Sequence, residues 1–331
     1  LHDALPIYDL NTARGLLGGG GAYTAALAFG GTQDPPRVAN TEQWNGTNWT
    51  EVNDLNTAIY YTTGDGTTTS SICASGFTTT TVASAEEWTL SNLVGAWSTG
   101  GTMNTARYLI GAAGIYTAAL GIAGDLDPGR TGITESYNGS NWTEVNDTNT
   151  ARQGHGSNGT QTSALLYGGY ASSGQVTDTE SWNGTNWTEV NNLNTARGAM
   201  GAGADNTSAV AFGGNAPPYS VNTELWNGTN WTEVNNLNTG REGLNGAGTN
   251  STAALGFGAH PPVSPGALTE TWNGTNWTEN ADLNSSRGYL GGTGTETNAL
   301  AFGGQLSTGP LTGATEEWVN QSPTTVTFSD S

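Results

Sequence analysis

The phrase Asn-Thr-Ala-Arg, or a close variant, begins at Asn11, Asn56, Asn104, Asn149, Asn194, Asn238 and Asn284, at gaps of 45, 48, 45, 45, 44 and 46 residues. A second phrase, Glu-x-aromatic, ends at Trp44, Trp88, Tyr137, Trp182, Trp226, Trp272 and Trp318. A third, Asn-Gly-Thr-Asn-Trp-Thr-Glu in most copies, sets Trp49, Trp142, Trp187, Trp231 and Trp277 five residues after the preceding aromatic. Self-similarity at this period confines the chain to a repeat architecture, in which each unit buries its apolar face only against its neighbours. The second copy is the irregular one: Ile59 stands where the arginine does elsewhere, and Trp97 follows Trp88 by nine residues.

Each unit reads as four short strands. After Arg14 comes a Gly-rich segment, then Thr24-Ala-Ala-Leu-Ala-Phe29 closed by Gly30-Gly31, a variable loop, Asn40-Thr-Glu-Gln-Trp44, the turn Asn45-Gly46, and Trp49-Thr-Glu-Val52. Asn-Gly between two β-rich runs is a hairpin signal, because both turn positions tolerate positive φ. No stretch holds a helical period. Seven four-stranded units of about 45 residues fit a propeller, whose blades number about four to eight. The expected fold is all-β: a seven-bladed β-propeller of four-stranded antiparallel blades.

The order arginine, apolar strand, Gly-Gly, variable loop, Glu-x-aromatic, tryptophan resembles the kelch repeat over residues 8–331. Gly-Gly stands at Gly30-Gly31, Gly168-Gly169, Gly213-Gly214 and Gly303-Gly304, and is altered to Ser75-Gly76, Ala123-Gly124 and Gly258-Ala259. Trp mostly occupies the place where kelch units often carry Tyr. The resemblance implies the propeller and little about function, since kelch-like propellers serve unrelated tasks.

Composition narrows the function. With 28 acidic residues against eight basic ones, all eight of them arginine, the net charge is −20. That charge repels nucleic-acid backbones and anionic membranes, so neither is an expected partner. No apolar run approaches the roughly 18–20 residues of a transmembrane helix, and the lone Cys73 excludes an internal disulfide. Leu1-His-Asp-Ala-Leu-Pro-Ile7 reads as a translated short-read sequencing adapter, so residues 1–7 are set aside as a scar. The expected domain is 8–331, a fragment of metagenomic or phage type whose upstream domain is missing.

Strand alternation puts Glu42 and Trp44 on one face. Blades stack on such faces, so the carboxylate is buried and needs a cation or several donors. The only recurring cation is the arginine of the first phrase. Arg14, Arg107, Arg152, Arg197, Arg241 and Arg287 are therefore expected to pair with the set Glu42, Glu86, Glu135, Glu180, Glu224, Glu270 and Glu316, one arginine short at Ile59.

In an up-and-down blade the second-to-third loops and the blade crossings share one face. Those loops diverge while the frame repeats, the pattern of recognition loops on a rigid scaffold. Arg37, Arg130, Tyr219 and His260 lie in them. The residue after each repeat arginine also varies, and is expected to open the innermost strand and border the channel; Tyr60, Tyr108, Gln153 and Glu242 are the candidates there.

Signals for chemistry are sparse. His2, His155 and His260 fall at different repeat positions, which gives no metal cluster, and no cofactor is expected. Asp34, Asp125, Asp127 and Glu242 reach the variable face, where two carboxylates about 5–10 Å apart would serve glycoside hydrolysis. Asp125-Leu-Asp-Pro-Gly129 lacks the later ligands of a calcium loop. The leading expectation is a non-catalytic propeller, extracellular or on a virion surface, binding a glycan or cell-surface polymer as a tail appendage or adhesin. The alternatives are a polysaccharide-degrading enzyme using the same face and an intracellular kelch-type module that binds a protein.

Overall fold

A computed structural model describes residues 9–33, 36–91, 94–99, 101–115, 117–217, 219–260, 266–306 and 310–319. Seven antiparallel sheets follow one another around a ring, and no helix occurs among the described residues. In the first blade Gly18–Ala22, Ala25–Phe29, Thr41–Trp44 and Trp49–Glu51 pair in chain order, innermost to outermost. Blades two to six repeat this four-stranded plan, and the protein is a seven-bladed β-propeller. The seventh sheet shows three strands among the described residues: Gly291–Gly294, Asn298–Phe302 and Thr315–Val319.

The beginning of the described chain completes that blade. Leu10 N donates to the Gly313 carbonyl at 2.7 Å, and Thr315 N donates to Asp9 Oδ1 at 3.1 Å. In the first blade the same two bonds run from Leu55 N to the Ala39 carbonyl and from Thr41 N to Asp54 Oδ1. Asp9 and Leu10 thus hold in blade seven the place that Asp54 and Leu55, the residues after the outer strand, hold in blade one. Residues 1–7, Tyr8, Asp34 and residues 324–328, whose Thr-Thr-Val-Thr-Phe run reads from sequence as a further strand, lie outside the described residues.

Neighbouring blades meet through an aromatic ring set on a missing side chain. Phe29 of blade one lies over Gly64 of blade two, where a Cβ would come within 2.3 Å of the ring. The same fit places Phe302 of blade seven over Gly19 of blade one and so closes the ring. The first tryptophan of each unit ties its own blade: Trp44 Nε1 donates to the Tyr23 carbonyl at 2.8 Å, pinning the turn between the inner strands. The second ties two blades. Trp187, Trp231 and Trp277 each donate to the threonine hydroxyl of the preceding blade, at Thr134, Thr179 and Thr223, at 2.7–3.0 Å. Trp49 does so to Thr315, across the closure, at 2.9 Å.

One of these staples is broken. Blade two carries Ala85 where the other blades carry threonine, and Trp142 Nε1 is buried with no acceptor. A buried donor left unpaired costs about 1–3 kcal/mol. Ala85→Thr should therefore raise the unfolding free energy by about 1 kcal/mol, measured by denaturant titration. A neutral or destabilising result would show that Trp142 is satisfied some other way.

The expected ion pairs are present. Arg107–Glu135, Arg152–Glu180, Arg197–Glu224 and Arg241–Glu270 lie at 2.5, 2.8, 3.0 and 3.2 Å, and Arg14–Glu42 and Arg287–Glu316 are in direct contact. All six arginines are fully buried. The carboxylate takes more than the guanidinium: Glu42 also accepts Asn11 N at 2.6 Å, Asn11 Nδ2 at 2.8 Å and Thr12 N at 3.2 Å. The phrase Asn-Thr-x-Arg is thus a set of donors gathered on one carboxylate, which satisfies the burial requirement without water. In blade two Glu86 keeps the Asn56 and Thr57 donors, and burial pushes its carboxyl above the usual range.

Candidate functional site

The two faces separate as the strand count requires. A Cβ at Gly46 would lie 3.3 Å from the Thr24 carbonyl, so the first-to-second and third-to-fourth turns share one face. On the other, Gly31 N donates to the Ile59 carbonyl at 2.7 Å, which binds the end of the second strand to the next blade's arginine phrase. The variable loops spring from that side.

The residue after each repeat arginine does not open the innermost strand. Those strands begin three residues later, at Gly18, Thr63, Gly111, Gly156, Gly201, Asn245 and Gly291. The reason is a left-handed residue in between: Leu16, Tyr61, Leu109, Gly154, Ala199, Gly243 and Tyr289 have φ between 49° and 63°. That kink ends the extended run, so Tyr60, Tyr108, Gln153 and Glu242 form the rim above the strands. Each pairs by backbone with the residue that follows the Gly-Gly position: Phe77, Asp125, Tyr170 and His260. Three positions per blade therefore build the mouth; the sequence points to the first, at Tyr60, Tyr108, Gln153 and Glu242, and to the third, at His260, but not to the left-handed one between them.

On one side the mouth opens into a cavity of about 570 Å³ lined by Tyr60, Tyr61, Tyr289, Arg37, Leu16, Pro36 and Leu311 among others, within the usual range of about 300–1,000 Å³ for ligand sites. Tyr61 stands 4.9 Å from Tyr60 and 5.8 Å from Tyr108 between ring centroids. Phe77 packs edge-on against Tyr60 and lies 5.4 Å from Tyr108. Deeper, a second cavity of about 350 Å³ follows the channel past Leu17, Ile110, His155, Met200 and Leu290.

The opposite side of the mouth is polar. Glu242 is buried, accepts Asn215 Nδ2 at 2.5 Å, and lies 3.8 Å from His260 Nδ1. Gln175 Nε2 in turn holds Asn215 Oδ1 at 2.8 Å. His260 stacks at 4.4 Å on Tyr289, the residue that joins the two sides. Burial pushes the Tyr289 phenol up to about 12, with the Glu242 charge and the nearby Tyr61 and Tyr219 adding to it. Burial raises Tyr61, Tyr108 and Tyr170 as well, aided by Tyr60, by Asp125 and by Glu242 respectively. These phenols stay neutral well above pH 8 and offer O–H donors beside apolar ring faces.

The candidates are not all gathered. Tyr60, Arg37, Glu242 and His260 meet around Tyr61 and Tyr289, while Gln153 pairs with Tyr170 on the next arc of the rim. Arg130 is exposed, paired by backbone with Asp125 at the end of a hairpin. Asp125 accepts Asp127 N at 2.8 Å and so shapes that hairpin's turn. Tyr61, Phe77 and Tyr289 are not among the candidates the sequence offers, whereas Tyr170 and Asn215 open two of the divergent second-to-third loops. The available signal was the same one that found Tyr60: a repeat position whose occupant changes while the frame does not. Among the described residues no group of three or more metal-ligating side chains converges. No protein-family model matches the chain, and a search of curated proteins finds no significant match.

Proposed function

We propose that this propeller is a recognition module whose channel mouth binds a glycan or cell-surface polymer without turning it over. One observation carries the reading: Tyr61 and Tyr289 occupy left-handed positions that two other blades fill with Gly154 and Gly243. A non-glycine residue there costs about 1–2 kcal/mol, so the fold itself favours glycine. Leu16, Leu109 and Ala199 carry the same cost; what sets Tyr61 and Tyr289 apart is that both are large aromatics facing one cavity, as ligand selection would leave them. Flat rings next to neutral O–H, amide and imidazole groups match the alternating C–H faces and hydroxyl edges of sugar rings. The kelch-like order of the repeat supports a binding scaffold, and an exposed setting on a cell or virion surface suits a lysine-free exterior.

The test is a screen of immobilised polysaccharides with the wild type and with Tyr61→Gly and Tyr289→Gly. Glycine relieves the backbone, so both variants should keep their stability to within about 1 kcal/mol. Binding to the captured glycan should fall at least about tenfold, with no reducing sugar released by any form. Reducing-sugar release would establish the enzyme reading. Equal binding by all three proteins, or binding to no glycan in the screen, would remove the mouth or the ligand class from the proposal.

A further inference from the structure

We infer that the mouth cavity takes an acidic sugar, a uronate or related carboxylated unit, with Arg37 as its counter-charge; the inference rests on the glycan reading above. The chain has eight arginines and no lysine. Six arginines are buried in the frame's ion pairs and Arg130 stands on an exposed hairpin. Arg37 is the remaining cation, and it is the one that lines the tyrosine cavity. No carboxylate among the described residues lies within ion-pair distance of it.

Its placement is built into the loop. Arg37 pairs by backbone with Thr32, Gln33 N donates to the Pro36 carbonyl at 2.8 Å, and Val38 N donates to the Gly31 carbonyl at 2.9 Å. The backbone of Arg37 is thus fixed at the edge of the cavity lined by Tyr60, Tyr61 and Tyr289, and the residue is partly buried there; a guanidinium in that setting can meet a carboxylate with two parallel N–H···O bonds. A chain of net charge −20 repels anions over its whole surface. A cation at the aromatic cavity reverses that locally; the other arginine outside the frame, Arg130, shares its hairpin with Asp125 and Asp127 and has no aromatic cavity beside it among the described residues. The apolar wall of Leu16, Pro36 and Leu311 favours an acid carried on a ring over a free inorganic anion.

The probes are polygalacturonate, alginate and a glucuronate-containing capsular polysaccharide, each beside its carboxyl-reduced form, which keeps the sugar skeleton and loses the charge. The wild type should bind at least one acid form about tenfold or more tighter than its reduced form, as a charge-assisted bond implies, and the preference should shrink with added salt. Arg37→Gln should erase the preference, bringing the affinity for the acid form down to that for its reduced form. Equal affinity for acid and reduced forms, or a preference that survives Arg37→Gln, overturns the inference and leaves the glycan reading standing. Loss of binding to every glycan, neutral and acidic, fells that reading and the inference with it.

Discussion

Arg197→Ala should lower the unfolding free energy by about 3–5 kcal/mol, because it leaves Glu224 charged and buried without its cation. The loss should read as a fall of several degrees in Tm. Glu135→Gln should be of the same order, since it strands Arg107, which is fully buried. Blade two supplies the contrast. There an apolar Ile59 already replaces the cation and packs with Leu27, Phe29, Leu55, Cys73 and Trp88, but the carboxylate remains. Glu86 keeps its backbone and amide donors, and burial raises its pKa. An acid whose folded pKa is raised favours folding most below its unfolded value of about 4.3 and disfavours it as pH climbs past the folded one. Glu86→Gln should therefore leave Tm unchanged or raise it at pH 7, and do nothing at pH 4. If Glu86→Gln destabilises as much as Glu135→Gln at pH 7, the six arginines are not what holds the frame's carboxylates.

A second large effect lies in the channel wall. Both nitrogens of His155 are shut off from solvent although its ring edge lines the channel. Burial, reinforced by the charge of Arg152, pushes its pKa down to about 3. A histidine with a depressed pKa stabilises the fold above its unfolded value of about 6.5, and that contribution drains away as pH falls, at up to about 1.4 kcal/mol per pH unit. Through this group the protein should lose stability between about pH 6.5 and 4.5, while carboxyls raised by burial, such as Glu86, act with the opposite sign. The equivalent positions hold Leu17, Thr62, Ile110, Met200, Leu244 and Leu290, so His155→Leu fits the site and should flatten the curve in that window. An unchanged slope of stability against pH would show that the imidazole stays accessible to protons.

What could be read from the residues alone divides along chemical lines. The blade number, the hairpin turns and the arginine–glutamate pairs were legible because each rests on a residue type with few alternatives: Asn-Gly for positive φ, arginine for a buried carboxylate. The left-handed kink was not. Leu16, Tyr61, Leu109, Gly154, Ala199, Gly243 and Tyr289 share a backbone state imposed by the ring, and no composition signal survives in so mixed a set. The reading therefore placed Tyr60 at the channel and passed over Tyr61 beside it. Phe77 is hidden for a related reason: it follows Ser75-Gly76, an altered Gly-Gly position that reads as the end of a strand, whereas its backbone continues across to the rim. Ring closure by Asp9 and Leu10 shows only in the structure, since two residues carry too little repeat pattern to be assigned to a blade 306 positions away.

That closure changes how the molecule comes apart. An open array of repeats has two end units with one neighbour each, and it frays from them. Here Asp9 meets Thr315 across 306 positions of sequence, and Trp49 staples blade one to blade seven, so every blade has two neighbours and none is terminal. Opening any one interface removes the closure's advantage for all seven, which makes loss of structure a concerted event. The same contact spans 306 positions, and bringing partners so far apart together carries a large loop entropy. The ring should therefore form late and, once formed, act as a kinetic lock, so that its lifetime is set by the weakest blade junction.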